Sequence, residues 1–323
     1  MKKFTIQRAG LDVSRLAYGC MNIGGARNQA APSLSDRKAA RQAMMTAFEA
    51  GITLYDHADI YTRGNSEAVF GDVLKDSPGL RDKMVIQSKC GIRFQGQPQQ
   101  DDPQRYDFSY EHIINAVQGS LRRLQTDHLD ILLLHRPDPL VEPAEVARAF
   151  DQLQKDGKVL HFGVSNHTTA QMELLRKNVR QPLVINQVEL SLLHAGLIYE
   201  GIVANRADAT TSLSSGILDY CRANDILVQA WAPLAGGKLF RKDMQDVLLR
   251  RASECVCGLA GEKKVSPEAI MLAWLLRHPA GIQPVIGTTQ PERIKACCQA
   301  DQTTLSREEW YTLFLAAWGK PLP

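Results

Sequence analysis

The feature of this sequence that most constrains its fold is an eightfold alternation of short apolar runs with longer segments of helical periodicity. Apolar runs of this kind are typical of parallel strands buried on both faces, and the helical segments supply the crossovers that such strands require. Eight repeats predict an α/β fold of the TIM, or (β/α)8 barrel, class. A length of 323 residues suits one barrel, so we expect a single domain over residues 1–323.

The predicted elements run along the whole chain. Strands are expected at residues 15–18, 53–56, 84–88, 129–134, 162–165, 183–187, 227–231 and 283–286. The helices between them are expected at residues 36–50, 66–74, 109–124, 143–155, 169–177, 214–222, 244–261 and 291–300. An N-terminal β-hairpin around Gly10 is predicted to cap one end, and helices that begin at Ser266 and span 304–318 are predicted outside the repeat. Residues 95–105 and 200–215 are interpreted as polar insertion loops.

The composition excludes several classes of function. Hydrophobic residues make up 44% of the chain and charged residues 23%, which is typical of a folded globular protein. The 38 basic and 35 acidic residues give a net charge of +3 without a long basic run, so no nucleic-acid partner is predicted. We find neither a signal peptide nor an apolar stretch of roughly 18 residues, and we predict no membrane association.

The cysteines indicate the compartment. There are seven of them, an odd number without a C-x-x-C pair, which is typical of reduced thiols. We therefore predict a cytoplasmic protein. We separately expect it to be a monomer or a weak homo-oligomer.

Polar side chains stand where the predicted strands end, which is the place where α/β barrels carry their chemistry. The second strand ends at Asp56, and Tyr61 lies one short loop beyond it. The third strand is followed by Lys89 and the fourth by His135. Since neighbouring strands end at one rim, we expect these four side chains to converge.

The four side chains complement one another as acid–base chemistry. A free tyrosine has a pKa of about 10, too high for ready proton donation near neutrality. A lysine ammonium beside the phenol lowers that pKa, and Asp56 keeps the lysine charged and oriented. Tyr61 is therefore the predicted general acid, and His135 is predicted to hydrogen-bond and polarise a carbonyl group.

Later strand ends predict a place for a hydride source. Ser165, Asn166 and Gln187 carry groups suited to grip a carboxamide. Trp231 offers a flat ring on which a nicotinamide stacks.

The segment after the eighth strand predicts a phosphate site. Backbone amides at a helix start, the Thr288 hydroxyl and the Arg293 guanidinium converge there, in a position that α/β barrels commonly use for phosphate. A guanidinium suits a 2′-phosphate, which favours NADPH over NADH.

These segments together resemble the aldo-keto reductase family over nearly the whole chain. The matching motifs are D-H-A-D-I-Y, the S-K that ends in Lys89, L-L-L-H-R-P-D, G-K-V-L-H-F-G-V-S-N, N-Q-V-E and P-V-I-G-T-T, in the family's order. The resemblance implies NADPH-dependent reduction of aldehydes or ketones to alcohols. It also implies that Asp56, Tyr61, Lys89 and His135 are the catalytic tetrad, with no metal.

The resemblance further implies a set of cofactor contacts, in which residues 232–238 wrap the pyrophosphate. The cofactor-binding residues implied in this way are Gly19, Cys20, Met21, Asp56, Ser165, Asn166, Gln187, Trp231, Ala232, Pro233, Leu234, Ala235, Gly236, Lys238, Ile286, Gly287, Thr288, Thr289 and Arg293.

The sequence departs from the family pattern in three places. Trp231 stands where the family often has Tyr or Phe, which enlarges the stacking ring. Ala296 and Cys297 stand where the family frequently has Glu and Asn, so the usual adenine contacts are not expected. Residues 194–215 form a long, unusual segment, and the substrate pocket does not carry over from the family.

Other functions fit parts of the sequence. A Schiff-base aldolase would use Lys89 as a neutral amine, which Asp56 opposes by stabilising the cation. A regulatory subunit that only binds the cofactor is the second alternative, and the intact tetrad argues against it. A metal site is not predicted from His57, Asp59, His135 and Asp138, because His57 is expected to point away from Asp56.

Overall fold

The computed structural model describes residues 1–26, 31–203, 216–241 and 243–323. Its strands are β1 (Lys3–Ile6), β2 (Leu11–Ser14), β3 (Ala17–Gly19), β4 (Leu54–Asp56), β5 (Val85–Cys90), β6 (Ile92–Arg93), β7 (Arg105–Tyr106), β8 (Leu129–Leu134), β9 (Val159–Ser165), β10 (Leu183–Glu189), β11 (Leu227–Trp231) and β12 (Gln283–Ile286). Its helices are α1 (Leu34–Glu49), α2 (Asn65–Lys75), α3 (Tyr110–Leu124), α4 (Pro143–Lys155), α5 (Thr169–Arg176), α6 (Gly196–Val203), α7 (Ile217–Ala223), α8 (Val247–Lys263), α9 (Pro267–Leu276), α10 (Pro291–Cys298) and α11 (Arg307–Trp318).

Eight parallel strands close into a barrel, as the alternation predicted. Around the barrel the order is β3, β4, β5, β8, β9, β10, β11 and β12, which returns to β3. The order follows the chain, so each crossover joins neighbouring strands, and all eight strands end at one rim. We call this the C-terminal rim.

The N-terminal hairpin covers the opposite end of the barrel. Strands β1 and β2 pair antiparallel, and Gly10 allows the tight turn between them because its φ is +61°. Ile6 and Val13 of the hairpin are buried in one apolar cluster with Leu54 and Val184 of the barrel strands. The hairpin therefore seals the end that lies away from the C-terminal rim.

The helix starts follow from local capping. Ser266 accepts a hydrogen bond from the Ala269 amide at 3.1 Å, and Pro267 occupies the first helical position of α9, as predicted. Ser33 forms a capping box with Asp36 at the start of α1. Among the described helices, none combines the length and the hydropathy needed to cross a bilayer.

The sequence analysis assigned two helices to the wrong places around the eighth strand. It placed residues 244–261 in the barrel repeat and the helix at Ser266 outside it. In the structure α9 packs against β12, whereas α8 packs on α9 and α11. The reason is burial: α9 is apolar on all sides, and its segment from Ala269 to Leu275 is buried throughout. Helix α9 is covered by β12 on one side and by α8 on the other, so it lacks the amphipathic stripe on which the prediction relied.

Two features of the rim were not predicted. Strands β6 and β7 form a short antiparallel hairpin around the segment, residues 95–105, that was interpreted as a polar loop. Helix α6 occupies the start of the second predicted insertion, and residues 204–215, which include the start of the helix predicted at 214–222, lie outside the described residues.

The C-terminal helix is anchored by aromatic packing. Trp274 of α9 and Trp310 of α11 stack with ring centroids 5.0 Å apart, and Phe314 lies fully buried beside them. We expect Phe314→Ala to lower the free energy of unfolding by about 3–5 kcal/mol, since the truncation leaves a cavity. Urea unfolding measures this. Thr312→Ala on the exposed face of the same helix is the control, and equal losses for both variants would contradict the packing argument.

Candidate active site

The four predicted catalytic residues meet at the C-terminal rim. Asp56 ends β4, Lys89 lies in β5, and His135 directly follows β8. Tyr61 lies in the loop between β4 and α2. Asp56, Tyr61 and His135 line a cavity of about 990 Å³ that opens at the rim.

The loop after β4 is shaped to turn Tyr61 toward Lys89. Its residues Thr62, Arg63 and Gly64 have positive φ values of 46°, 57° and 89°. Gly64 also has no room for a side chain, because a Cβ there would lie 2.8 Å from the Arg123 side chain. The loop is thus a tight left-handed turn that only a few residue types tolerate.

Lys89 connects the other members of the site. Its Nζ lies 2.9 Å from Tyr61 Oη, 2.7 Å from Asp56 Oδ1 and 2.8 Å from the His57 carbonyl oxygen. The lysine is 1% exposed and Asp56 is 2% exposed. The ammonium is therefore paired and hydrogen-bonded in a position shielded from water.

Burial and charge act in opposite directions on this group. Burial lowers the pKa of Lys89, but Asp56 and Tyr61 raise it by more, so the pKa lies above its usual value and the amine stays cationic. Burial raises the pKa of Tyr61, and Lys89 lowers it only in part. The sequence analysis anticipated the effect of the lysine but not the larger effect of burial. Tyr61 accordingly keeps its proton at neutral pH, which a proton donor must do.

His135 is a neutral imidazole facing the same cavity. Burial, together with Lys89 and Arg136, lowers the pKa of His135 well below its usual value. Its ring meets that of Tyr61 edge-on, with centroids 5.9 Å apart. Its buried Nδ1 has no hydrogen-bond partner among the described residues, so Nε2 is the nitrogen left to meet a ligand. A neutral imidazole beside the phenol is suited to orient a carbonyl oxygen.

The residues predicted to grip a carboxamide are connected to one another. Ser165 Oγ donates to the Gln187 carbonyl oxygen at 2.8 Å, and Asn166 Nδ2 donates to Ser165 Oγ at 2.8 Å. Trp231 Nε1 donates to Asn166 Oδ1 at 3.0 Å. All four residues line the cavity. The indole of Trp231 is thus held in a fixed orientation in the cavity wall.

The loop after β11 provides a backbone cradle in the same wall. Ala232, Ala235, Gly236 and Gly237 all have positive φ values, between 49° and 75°. A Cβ on Gly236 would meet nothing within 4 Å, and one on Gly237 would lie 3.9 Å from an Arg293 nitrogen. The loop after β11 and the Arg293 side chain therefore lie next to each other in the cavity wall.

The segment after β12 packs closely on β3. A Cβ on Gly19 would lie 3.3 Å from the Ile286 carbonyl oxygen. Asn22 Nδ2 donates to the Gly287 carbonyl oxygen at 3.0 Å, and Tyr18 Oη donates to that of Thr288 at 3.1 Å. These contacts fix the backbone that the predicted phosphate site uses.

Not every predicted cofactor residue reaches the cavity. The following predicted residues line it: Gly19, Met21, Asp56, Ser165, Asn166, Gln187, Trp231, Ala232, Pro233, Leu234, Gly236, Ile286, Gly287, Thr288, Thr289 and Arg293. Cys20, Ala235 and Lys238 do not. Cys20 is fully buried with its thiol directed to the Tyr18 carbonyl oxygen, and Lys238 is exposed outside the wall. Cys297 is also buried, away from the cavity.

The sequence analysis missed several residues of the cavity wall. They are Asn22, Ile60, Thr62, Arg63, Ile92, Phe94, Arg136, Val285 and Gln290. Arg136 had a visible signal, since it directly follows His135, and its guanidinium lies 5.5 Å from the Trp231 ring centroid. Phe94 had none, because the β6–β7 hairpin that presents it was not predicted.

The residues considered for a metal do not form a ligand set. His57 is fully buried with its ring edge-on to Phe70, and burial lowers its pKa to about 3. Both Asp138 oxygens accept backbone amides, from Phe108 and Leu140. Within the described ranges, no three metal-ligating side chains approach one another closely enough to hold an ion.

A parallel eight-stranded barrel with a Tyr–Lys–Asp–His group at its C-terminal rim defines a class of oxidoreductases. The model of the aldo/keto reductase family matches residues 15–313, and the chain belongs to that family.

Within the family, the chain is similar to the following proteins of known sequence or structure. Oxidoreductase YdhF of Escherichia coli is 39% identical over 277 residues, covering 84% of this chain and 85% of the relative. The 6-dehydroglucose reductase of Agrobacterium fabrum is 38% identical, covering 96% of each chain. A crystal structure of an aldo/keto reductase from Klebsiella pneumoniae, in complex with NADP and acetate, superposes with a TM-score of 0.74 at 25% identity, covering 97% of this chain and 94% of that one.

Proposed function

We propose that this chain reduces aldehydes or ketones to alcohols with NADPH, and that Tyr61 donates the proton. The observation that carries the proposal is the 2.9 Å contact between Lys89 Nζ and Tyr61 Oη, in a cavity whose wall also holds His135 and Trp231. A paired ammonium that touches a protonated phenol is an arrangement for proton donation to an oxygen that gains negative charge.

The residues of the cavity fit a nicotinamide dinucleotide. Trp231 is held by Asn166 as a flat surface for a planar ring. The cradle of positive-φ residues after β11 has open space beside Gly236, where backbone must approach a pyrophosphate. Arg293 stands beyond it, beside a helix start that suits a phosphate. When bound, NADPH supplies the hydride for the reduction.

The chain's own residues supply the proton and the charge stabilisation. His135 donates a hydrogen bond that orients the substrate carbonyl toward Tyr61. The Tyr61 Oη proton passes to the carbonyl oxygen as that oxygen becomes an alkoxide. Lys89 remains protonated and stabilises the phenolate that is left, and Asp56 balances the ammonium charge. The same raised pKa of Lys89 argues against Schiff-base chemistry, which needs a neutral amine.

The direct test follows cofactor consumption. Purified protein with NADPH should oxidise it in the presence of activated aldehydes or diketones, and 6-dehydroglucose belongs in the panel because a relative carries that name. Trp231 is the tryptophan of the cavity wall, so NADPH should quench part of the emission. Absence of both binding and turnover across the panel would refute the proposal. A covalent adduct on Lys89 after borohydride treatment with substrate would favour an aldolase instead.

Arg293 tests the choice of cofactor. Its guanidinium is half-exposed and lies 3.6 Å from a Glu268 oxygen, which leaves its Nη groups for a 2′-phosphate. We expect Arg293→Ala to raise the KM for NADPH by about 10–100-fold, since a charge-assisted hydrogen bond is lost, and to leave that for NADH nearly unchanged. Lys295→Ala, on the same helix, is the control. Equal weakening of both cofactors would contradict the assignment.

The cysteines favour a reducing compartment for this activity. All seven are unpaired, and four of them are buried. Buried free thiols of this kind are typical of a cytoplasmic enzyme, which is the location that we propose.

A further inference from the structure

Four buried glutamines cross the interior of the barrel below the catalytic group. Gln87, Gln187, Gln229 and Gln283 lie on β5, β10, β11 and β12, and none is more than 2% exposed. Gln229 is the cross-strand neighbour of both Gln187 and Gln283, and Gln87 is that of Asp56. A buried amide costs free energy unless its groups are hydrogen-bonded, so a connected layer of four calls for a physical reason.

The hydrogen bonds of this layer run outward from Gln87 and Gln187, toward Ser14 on one side and toward Asp56 on the other. Gln283 Nε2 donates to the Ser14 carbonyl oxygen at 2.7 Å, and Gln229 Nε2 donates to Gln283 Oε1 at 2.8 Å. Gln229 Oε1 accepts from Gln87 Nε2 and Gln187 Nε2, both at 2.9 Å. Each Nε2 of this pair also donates to Asp56 Oδ1, at 2.5 Å from Gln87 and 3.0 Å from Gln187.

The two ends of this hydrogen-bonded series, Ser14 and Asp56, fix the orientation of every amide between them. A backbone carbonyl and a carboxylate are both pure acceptors, so an Nε2 must face Ser14 at one end and Asp56 at the other. Flipping one amide between them would set two acceptors or two donors against each other. Gln87 shows the same constraint: both of its Nε2 hydrogens are used, while its buried Oε1 has no partner among the described residues. The orphaned oxygen is the cost of aiming the donor at the carboxylate.

We propose that Gln87 and Gln187, oriented by Gln229, form an amide clamp that holds the Asp56 carboxylate against Lys89. The clamp acts on catalysis through other groups, so its members are positioning residues for the tetrad. Without it the carboxylate is free to rotate from the ammonium, and burial then dominates the charge state of Lys89. A less cationic lysine is a weaker partner for the Tyr61 phenol.

The test compares two isosteric losses in the same layer. We expect Gln87→Met to lower kcat about tenfold with the KM for NADPH nearly unchanged, as for one lost hydrogen bond to a charged group. Gln283→Met is the comparison variant, because Gln283 is equally buried but touches the clamp only through Gln229, so kcat should fall clearly less than in Gln87→Met. If Gln87→Met does not fold, Gln229→Met takes its place, since it removes the shared acceptor and leaves Asp56 untouched.

A second measurement that needs no turnover tests the clamp independently of the proposed function. Only the kinetic test rests on that function. Tyrosinate absorbance is titrated for each variant and for the same variant carrying Tyr61→Phe, and the difference reports the ionisation of Tyr61. We expect that ionisation to move about one pH unit higher in the clamp variant, because Lys89 lowers the pKa of Tyr61 less strongly. Equal titrations and equal kcat values for the Gln87 or Gln229 variant and the Gln283 comparison variant would overturn the clamp. If the parent protein does not turn over, the titration alone decides.

Discussion

Tyr61→Phe should lower kcat for carbonyl reduction by about 10²–10⁴-fold while the affinity for NADPH stays nearly unchanged. The substitution removes the Oη that Lys89 contacts at 2.9 Å, and with it the proton, but it keeps the ring in its position against His135. The expected size is that of a lost general acid. Steady-state kinetics and a fluorescence titration with NADPH measure the two quantities.

The control for this experiment is another tyrosine of the rim. Tyr106 lies in β7, is exposed and does not line the cavity, so Tyr106→Phe should behave like the parent protein. A Tyr61→Phe variant with parental kcat would show that the proton comes from elsewhere. His135, with its pKa far below the usual value, would not be a ready substitute as a proton source.

Lys89→Met should have two large effects, one on activity and one on stability. Turnover should fall at least as far as in Tyr61→Phe, because the phenolate then forms without its cation. The free energy of unfolding should fall by about 3–5 kcal/mol, since the Asp56 carboxylate is left buried without its partner. Kinetics and urea unfolding at neutral pH measure the two effects separately.

A double variant distinguishes the two effects. Lys89→Met combined with Asp56→Asn removes the unpaired charge, so most of the lost stability should return while activity stays low. Recovery of both activity and stability would mean that the lysine only balances the aspartate and does not assist Tyr61.

The sequence predicted the barrel and the convergence of the candidate catalytic residues for the same physical reason. Strands buried on both faces appear as apolar runs, and their ends mark the rim, so Asp56, Lys89 and His135 could be placed before any coordinates. Resemblance to a family identifies which positions of the sequence correspond, but it does not show where each side chain points. Cys20 and Lys238 therefore fell outside the cavity wall although their neighbours line it.

What the sequence analysis overlooked depends on contacts between distant segments. Gln87 and Gln229 each interrupt an apolar strand and Gln283 begins one, and that signal was visible, but their partnership requires the register of the closed barrel. The raised pKa of Tyr61 likewise follows from burial by surrounding loops, which no local pattern reports. Helix α9 was misplaced because uniform burial removes the periodicity that identifies a helix face.

The sealed N-terminal end of the barrel has a kinetic consequence. Since the β1–β2 hairpin packs its apolar side chains into that end, the proposed cofactor and substrate would share the cavity that opens at the rim, in the part of the chain that the structure describes. Two molecules that bind in one cavity through one entrance hinder each other's exit, so we expect them to arrive and depart in a fixed order. Product-inhibition patterns should accordingly be those of an ordered rather than a random scheme.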